Sequence, residues 1–272
     1  MRRRHLFELE DQPWLPRVIR DAGTAYLELA SRLTGQSDAL VPILTEALRR
    51  TGARRVVDLG SGGAGPLPAA IAASAGSLGE PVEVVLTDLY PNLPAFERAE
   101  DSFAFVRGVR EPIDAMEVPD PLDGLRTMFN AFHHFRPEDA RRILRDAVRA
   151  RQPIAIFEVV ARHPLAMLGI LFAPIASLFA VPFLRPFRWG WIPLTYVVPV
   201  IPLFILWDGL VSCLRCYTQA ELLAMSADLG GDDYAWEAGP IELEGAPFDG
   251  TWLLGHPVDG RASTAPRTGA GP

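Results

Sequence analysis

The 272-residue chain contains no lysine; all 26 of its basic residues are arginine. That argues against a P-loop nucleoside triphosphatase, whose G-x-x-x-x-G-K signature needs the lysine to reach the phosphates. Cysteine is nearly absent, with two in the chain, which excludes a disulfide scaffold and a multi-cysteine structural zinc site. Excess positive charge is lacking as well, since 33 acids against 26 bases leave a net −7. An acidic chain disfavours the phosphate-neutralising footprint of a nucleic-acid partner, and none is expected. A secretory h-region is missing too. Met1-Arg2-Arg3-Arg4-His5 has the charge of an n-region, but Glu8, Glu10 and Asp11 stand where apolar residues would follow. A cytoplasmic location is therefore expected. No internal repeat is visible.

What the chain does have is apolar residues, 49% of the total, with a mean hydropathy of +0.14. The excess is concentrated. Pro164–Leu184 holds 21 residues without a charge, Trp189–Trp207 holds 19 more, and the charges between them are Arg185 and Arg188. The rest of the chain reads as an ordinary acidic α/β sequence.

Periodicity predicts the elements of that sequence. Val18, Ile19, Tyr26, Leu27, Leu29, Ala30 and Leu33 are spaced for a helix within residues 13–35. A second helix is expected to start at a Ser37-Asp38 cap and stop at Gly52. β-rich runs follow at 54–59, 82–88, 103–106, 125–130 and 154–160, alternating with helical segments at 66–75 and 137–151. Strands alternating with helices predict a doubly wound α/β sheet. Thr218 and Glu221 form a capping-box pair at the start of a further helix, and two last strands are expected at 233–237 and 251–255.

The strongest motif is Val56-Val57-Asp58-Leu59-Gly60-Ser61-Gly62-Gly63-Ala64-Gly65, which leaves a strand and enters a helix. Glycine there lets the backbone turn and lets a ligand approach the N–H groups of the helix start. Gly60, Gly62 and Gly65 satisfy the G-x-G-x-x-G dinucleotide pattern, so an NAD(P)-dependent oxidoreductase is one reading. Asp58 weighs against it, because a carboxylate repels a pyrophosphate and suits an ammonium or sulfonium.

At these residues the chain resembles the class I S-adenosylmethionine (SAM)-dependent methyltransferases, whose first motif is an acid followed by G-x-G-x-G. Asp58, Gly60, Ser61 and Gly62 match it, and Ala64 replaces the third glycine. The resemblance implies a Rossmann-like seven-stranded sheet with helices on both faces and the last two strands antiparallel at its edge. It also implies SAM as cofactor. Asp88, followed by Leu89, matches the acid that holds the ribose hydroxyls, and Asp114-Ala115 matches the adenine contact. Asn130, before Ala131-Phe132-His133-His134-Phe135, matches the strand end that lines the methyl-transfer cavity. The first half of the chain carries these matches; the second half resembles the family only in outline.

Transfer to oxygen or nitrogen calls for a general base, and imidazole titrates in the right range. His133 and His134 are the candidates, with Glu158 at the mouth of the fifth strand as a further acceptor-side group. A fold role for the His-His-Phe run, packing over the cofactor, stands beside that reading. Cys213 and Cys216 form a C-x-x-C with no second pair, so two ordinary helix cysteines and no metal site are expected.

Each apolar run is long enough to cross a bilayer. Pro174, Pro182, Pro193, Pro199 and Pro202 interrupt them, and a two-pass hairpin would carry Arg185 and Arg188 to the far side. Broken helices lying on the inner face of the membrane, with the arginine pair at phosphate level, fit both facts. A greasy lid over a hydrophobic substrate, dimerising to hide its face, is the other reading. The expected organisation is thus an N-terminal helical cap (1–52), a SAM-binding core (53–162), an apolar helical insert (163–210), a completing helix and strands (211–256), and a disordered tail (257–272). The expected function is methyl transfer to a small, lipid-like acceptor. A non-catalytic, membrane-tethered scaffold with the same fold is the remaining alternative.

Overall fold

A computed structural model describes residues 1–258. Its centre is a seven-stranded sheet of order β3-β2-β1-β4-β5-β7-β6. The strands are β1 (Arg55–Leu59), β2 (Glu83–Thr87), β3 (Val106–Gly108), β4 (Leu125–Phe129), β5 (Ile154–Glu158), β6 (Tyr234–Ile241) and β7 (Gly250–Pro257). The first five pair in parallel; β7 runs antiparallel to both β5 and β6. This is the Rossmann-like arrangement, with an antiparallel edge, that the methyltransferase resemblance implies. The order reverses between β1 and β4, which opens a crevice beyond the carboxyl ends of those two strands.

Helices α1 (Arg17–Leu33), α2 (Gln36–Thr51), α3 (Leu67–Leu78), α4 (Leu93–Ser102) and α5 (Pro137–Ala150) precede the insert. On one face of the sheet, Leu40, Leu44 and Leu48 of α2, Leu67 and Ile71 of α3, and Phe96 of α4 pack against Val56, Val84 and Phe157. On the other, Ile143, Leu144 and Ala147 of α5 and Leu222 of α10 (Gln219–Ser226) pack against Val57, Met128 and Ile156. Burial on both sides is why β5 reads as an unbroken apolar run up to Glu158.

The insert folds as α6 (Pro164–Ile170), α7 (Ala173–Ala180), α8 (Trp191–Tyr196) and α9 (Val200–Arg215). Among the described residues no single helix is long and apolar enough to cross a membrane. The bent pair α6–α7 passes by composition with a 41° break, and α9–α10 with a 54° break. Pro174 falls just after the α6–α7 break and Pro199 just before α9, and proline removes a donor and obstructs the preceding turn; the α9–α10 break at 216–218 holds no proline. Trp191, Ile201, Phe204 and Ile205 of the insert make a third core with Leu15, Ile19, Ala22 and Ala25.

Within 1–52, α1 packs with the insert and α2 packs on the sheet. Three expectations need correction. Ser37-Asp38 does not cap α2. Gly35 in the left-handed region precedes it with no side-chain cap, and the Ser37 hydroxyl donates to the Pro66 carbonyl at 3.4 Å. The third strand begins at Val106 rather than Phe103, and β7 continues to Pro257. Of the tail expected over 257–272, positions 259–272 lie outside the described residues. The capping box forms as read, with Glu221 N–H donating to Thr218 and Thr218 N–H to Glu221.

Candidate active site

The glycine loop turns the chain from β1 into α3 through left-handed residues. Gly60 lies at φ 69°, Gly62 at 49° and Gly65 at 52°, and Ala64 joins them at 74° despite its Cβ. A Cβ built on Gly62 would meet nothing within 4 Å, so the loop is open to a ligand at that backbone. Ser61 works inward: its hydroxyl donates to the Asp58 carbonyl at 3.0 Å and accepts from Thr87 N–H at 3.1 Å. It therefore ties the loop to the ends of β1 and β2.

Asp58 is buried beneath this loop, with Oδ1 accepting from the Thr127 hydroxyl at 2.7 Å. Burial is the main influence on it and lifts its pKa to about 7; the hydrogen bonds from Thr127 and Ser61 oppose that, and the nearby charge of Asp88 adds to it. Asp88 Oδ2 accepts from Gly62 N–H at 2.9 Å and Oδ1 from Tyr90 N–H at 2.8 Å, while Leu89 between them is exposed. Ile113 N–H donates to the Asp88 carbonyl at 2.9 Å, which brings the segment after β3 alongside. There Asp114 Oδ1 accepts from Met116 N–H at 2.8 Å, closing a local turn, and Ala115 is buried in the core. Asn130, at φ 47°, spans the ends of β4 and β5: its N–H donates to Phe157 and its Oδ1 accepts from Val159 N–H, both at 2.8 Å. The structure thus brings Asp58, Gly60, Gly62, Asp88 and Asp114 to one edge of the sheet, with Asn130 at the next strand end.

His133 and Glu158 meet beyond that edge. Glu158 Oε1 accepts from His133 N–H at 2.9 Å and Oε2 from the ring Nδ1 at 2.7 Å, with both residues buried. His133 Nε2 is left facing Glu8 Oε1 at 3.8 Å. His134 stacks on His133 with centroids 4.4 Å apart, but pairs elsewhere, with Asp11 at 2.8 Å and Glu8 at 3.3 Å. Burial alone would lower the His134 pKa; the bond to Asp11 and the charges of Glu8, Asp11 and Glu10 overcome it and raise it to about 9. His134 is therefore imidazolium at neutral pH and cannot accept a proton there. Of the two histidines named from sequence, His133 is thus held at Nδ1 by Glu158 and His134 at Nδ1 by Asp11.

Glu8 and Asp11 belong to an N-terminal strap that sequence reading missed as part of the site. Arg215, at the end of α9, is buried and binds Asp11 at 2.7 Å and Glu8 at 3.2 Å, while its Nε donates to the Leu6 carbonyl at 2.7 Å. Asp208, about two turns earlier on α9, accepts from Leu9 and Glu10 N–H at 2.8 and 2.9 Å. Burial raises Asp208 to about 6 and Glu10 to about 7, whereas Asp11, despite burial, is held down to about 2 by His134 and Arg215. A run of acids near Arg3 was the only local signal; its partners lie some two hundred positions away.

Ligand-type atoms of Glu8, His133 and His134 lie within 4.8 Å of one another, as do those of His133, Glu158 and Cys216. In the first group Arg215 already compensates Glu8, and in the second both Glu158 oxygens are engaged by His133. Cys216 lies 3.9 Å from Glu158, and burial, followed by that charge, raises its thiol well above the ordinary range. It is a thiol, not a ready thiolate ligand.

No protein-family model and no curated protein matches the sequence. Solved structures do. An O-methyltransferase family protein from Burkholderia thailandensis is 15% identical over 85% of this chain and 57% of its own, with a TM-score of 0.47. An O-methyltransferase from neocarzinostatin biosynthesis, solved with SAM and 2-hydroxy-5-methyl naphthoic acid, is 16% identical over 88% and 60%, at 0.48. The mitomycin 7-O-methyltransferase is 13% identical over 89% and 54%, at 0.45. The chain spans 43–60% of the length of the first four such structures.

Proposed function

We propose that the chain is a SAM-dependent methyltransferase acting on a small, lipophilic acceptor presented at a membrane surface. The carrying observation is the pairing of two features across one sheet edge. A buried, cation-free carboxyl, Asp58, lies under an open glycine loop, and a Glu158-held imidazole, His133, lies beyond the adjoining strand ends.

The residues fit the cofactor. Asp58 is desolvated and carries hydrogen-bond donors only from hydroxyls, so a cationic amino-acid or sulfonium group would supply the opposite charge that burial has denied it. Gly62 leaves backbone accessible for close approach, and Asp88 and Asp114 supply carboxylates for ribose hydroxyls and an exocyclic amine. When bound, SAM supplies an already activated methyl group. The protein's share is then orientation and proton removal. Glu158 fixes the His133 tautomer by accepting a hydrogen bond from Nδ1–H, which leaves Nε2 as the site that receives a proton from an acceptor hydroxyl. His134, as imidazolium, stacks against it and holds the strap.

The lipophilic acceptor is supported by the apolar insert and by an apolar cavity beside the strap. The insert adjoins the strap, and a cavity of about 600 Å³ between strap, α1 and α9 is lined by Leu9, Trp14, Leu15, Ile19, Leu203 and Trp207 among other apolar groups. Such a cavity is in the size range of small-molecule sites. Isothermal titration with SAM, S-adenosylhomocysteine and NADH tests the reading. Micromolar-range binding of the first two, lost in Asp58→Ala and Asp88→Ala, is the expected result. Binding of NADH alone would favour an oxidoreductase, and a folded protein that binds none of the three would favour a non-catalytic scaffold.

A further inference from the structure

The tip of the insert carries side chains that water does not favour. Trp189 is 81% exposed and Phe183 68%, and they flank the short segment that holds Arg185 and Arg188. Phe187 packs edge-on against Trp189 with centroids 5.3 Å apart. Behind the tip, Phe172, Ile175 and Phe179 are exposed as well. Isolated apolar residues on a surface need no explanation, but a group of them on one element does. The same insert buries Ala173, Val181, Leu184 and Trp191 against α1 and α9. It is thus packed against the protein on one side and apolar on the other.

Charge beside this face has the opposite sign to the chain as a whole. Arg17, Arg98, Arg185 and Arg188 line one shallow cleft with Asp21 and Glu28, so four guanidiniums face two carboxylates. Arg188 binds Asp21 at 2.9 Å, and Arg17 reaches the same carboxylate at 3.9 Å. Arg98 and Arg185 donate only to the backbone carbonyls of Pro94 and Leu184; no carboxylate among the described residues pairs with either. Uncompensated arginine next to exposed tryptophan and phenylalanine is the pattern of a headgroup-level contact, with cations at the phosphates and rings just below.

We propose that the 183–189 tip and the outward side of α6 and α7 dock on an anionic phospholipid bilayer, with headgroup phosphates seated at Arg98 and Arg185. This rests on the reading that the insert contacts a membrane, and adds the lipid class, the residues and the orientation. A second copy of the chain is a poorer occupant. A two-fold contact through this tip would bring the two arginine clefts toward each other, like charge to like.

Flotation of the full chain with vesicles of phosphatidylcholine, and of equal parts phosphatidylcholine and phosphatidylglycerol, tests it. The protein should float with the mixed vesicles, much less with phosphatidylcholine alone, and less at high salt. Arg98→Gln and Arg185→Gln should each weaken partition roughly fivefold, the worth of one cation near an anionic surface. Phe183→Ser combined with Trp189→Ser should abolish flotation, with circular dichroism and S-adenosylhomocysteine binding as checks of folding. Equal flotation with both vesicle types, indifference to the arginine variants, or a folded protein that never floats would overturn the proposal. So would a lipid-independent dimer that the Phe183/Trp189 double variant dissolves. A protein that floats as described yet binds no S-adenosylhomocysteine would sink the methyltransferase reading and leave the docking intact.

Discussion

Glu158 holds His133 twice, accepting from its backbone N–H at 2.9 Å and from its ring Nδ1 at 2.7 Å. The two contacts fix both where the imidazole stands and which nitrogen keeps its proton. If His133 removes the acceptor's proton, His133→Ala should lower turnover by about 10²–10⁴-fold. Glu158→Gln should also lower it and shift the pH–rate profile, because an amide holds the tautomer less firmly. S-adenosylhomocysteine affinity should change little in either variant. Methyl transfer followed with labelled SAM checks this; unchanged turnover in His133→Ala would mean that the acceptor ionises without a base.

Asp58 leads to a second expectation. Its ordinary carboxyl pKa is raised to about 7 by burial, so in the free protein it is largely protonated below that pH. A cationic ligand favours the carboxylate, so binding at lower pH must release this proton. SAM affinity should therefore rise with pH and level off above about 7. Titration calorimetry in buffers of different ionisation enthalpy would detect the proton released. A flat affinity profile with no proton release would mean that Asp58 does not face the cation.

The strap should respond to pH in a defined direction. His134 is raised from 6.5 to about 9, so its contribution is complete below 6.5 and is lost as pH climbs through about 9. Glu10 and Asp208 are acids raised to about 7 and about 6, so they too favour the folded strap at lower pH and penalise it above those values. Asp11 is lowered to about 2 and acts in the other sense, its contribution being lost as pH falls from 3.8 through about 2. The strap should consequently be held best in mildly acid solution and loosen in alkali. Hydrogen exchange at Leu9 and Glu10, whose N–H groups bond to Asp208, should quicken above pH of about 9 beyond its intrinsic increase.

Arg126 and Asp146 form a fully buried pair at 2.8 Å, between β4 and α5. Asp146 also accepts from Val118 N–H at 3.3 Å. Asp146→Ala breaks this buried pair and also removes the carboxylate that Arg149 contacts at 3.0 Å, so it should destabilise the fold by up to about 3–5 kcal/mol. Chemical denaturation would measure it. A loss below about 1 kcal/mol would show that water or a rearranged neighbour replaces the carboxylate.

Much of this molecule is local in origin. The apolar run of β5 reflects burial on both faces, the Thr218–Glu221 box forms within one turn, and the Asp58–Gly62 motif sets a left-handed turn that only glycine accepts cheaply. The sheet and the glycine loop were legible for that reason. Ser61 and Asn130 were named from the motif, but their side chains tie strand ends together, a use that depends on the neighbouring strand and not on the motif.

The proton-handling side could not be read the same way. Nothing in the His133-His134 dipeptide says what either ring pairs with; Glu158 arrives on one and Asp11 on the other. The strap's tie to Arg215 joins positions about two hundred residues apart, and ion pairs carry no sequence period that would announce them. Sequence alone determined the α/β order, the glycine loop with its acid, and the concentration of apolar residues in one insert. Only the tertiary structure decided what each histidine pairs with, what covers His133, and which side of the insert is left facing outward, because each depends on charges and surfaces that meet only after the sheet has formed.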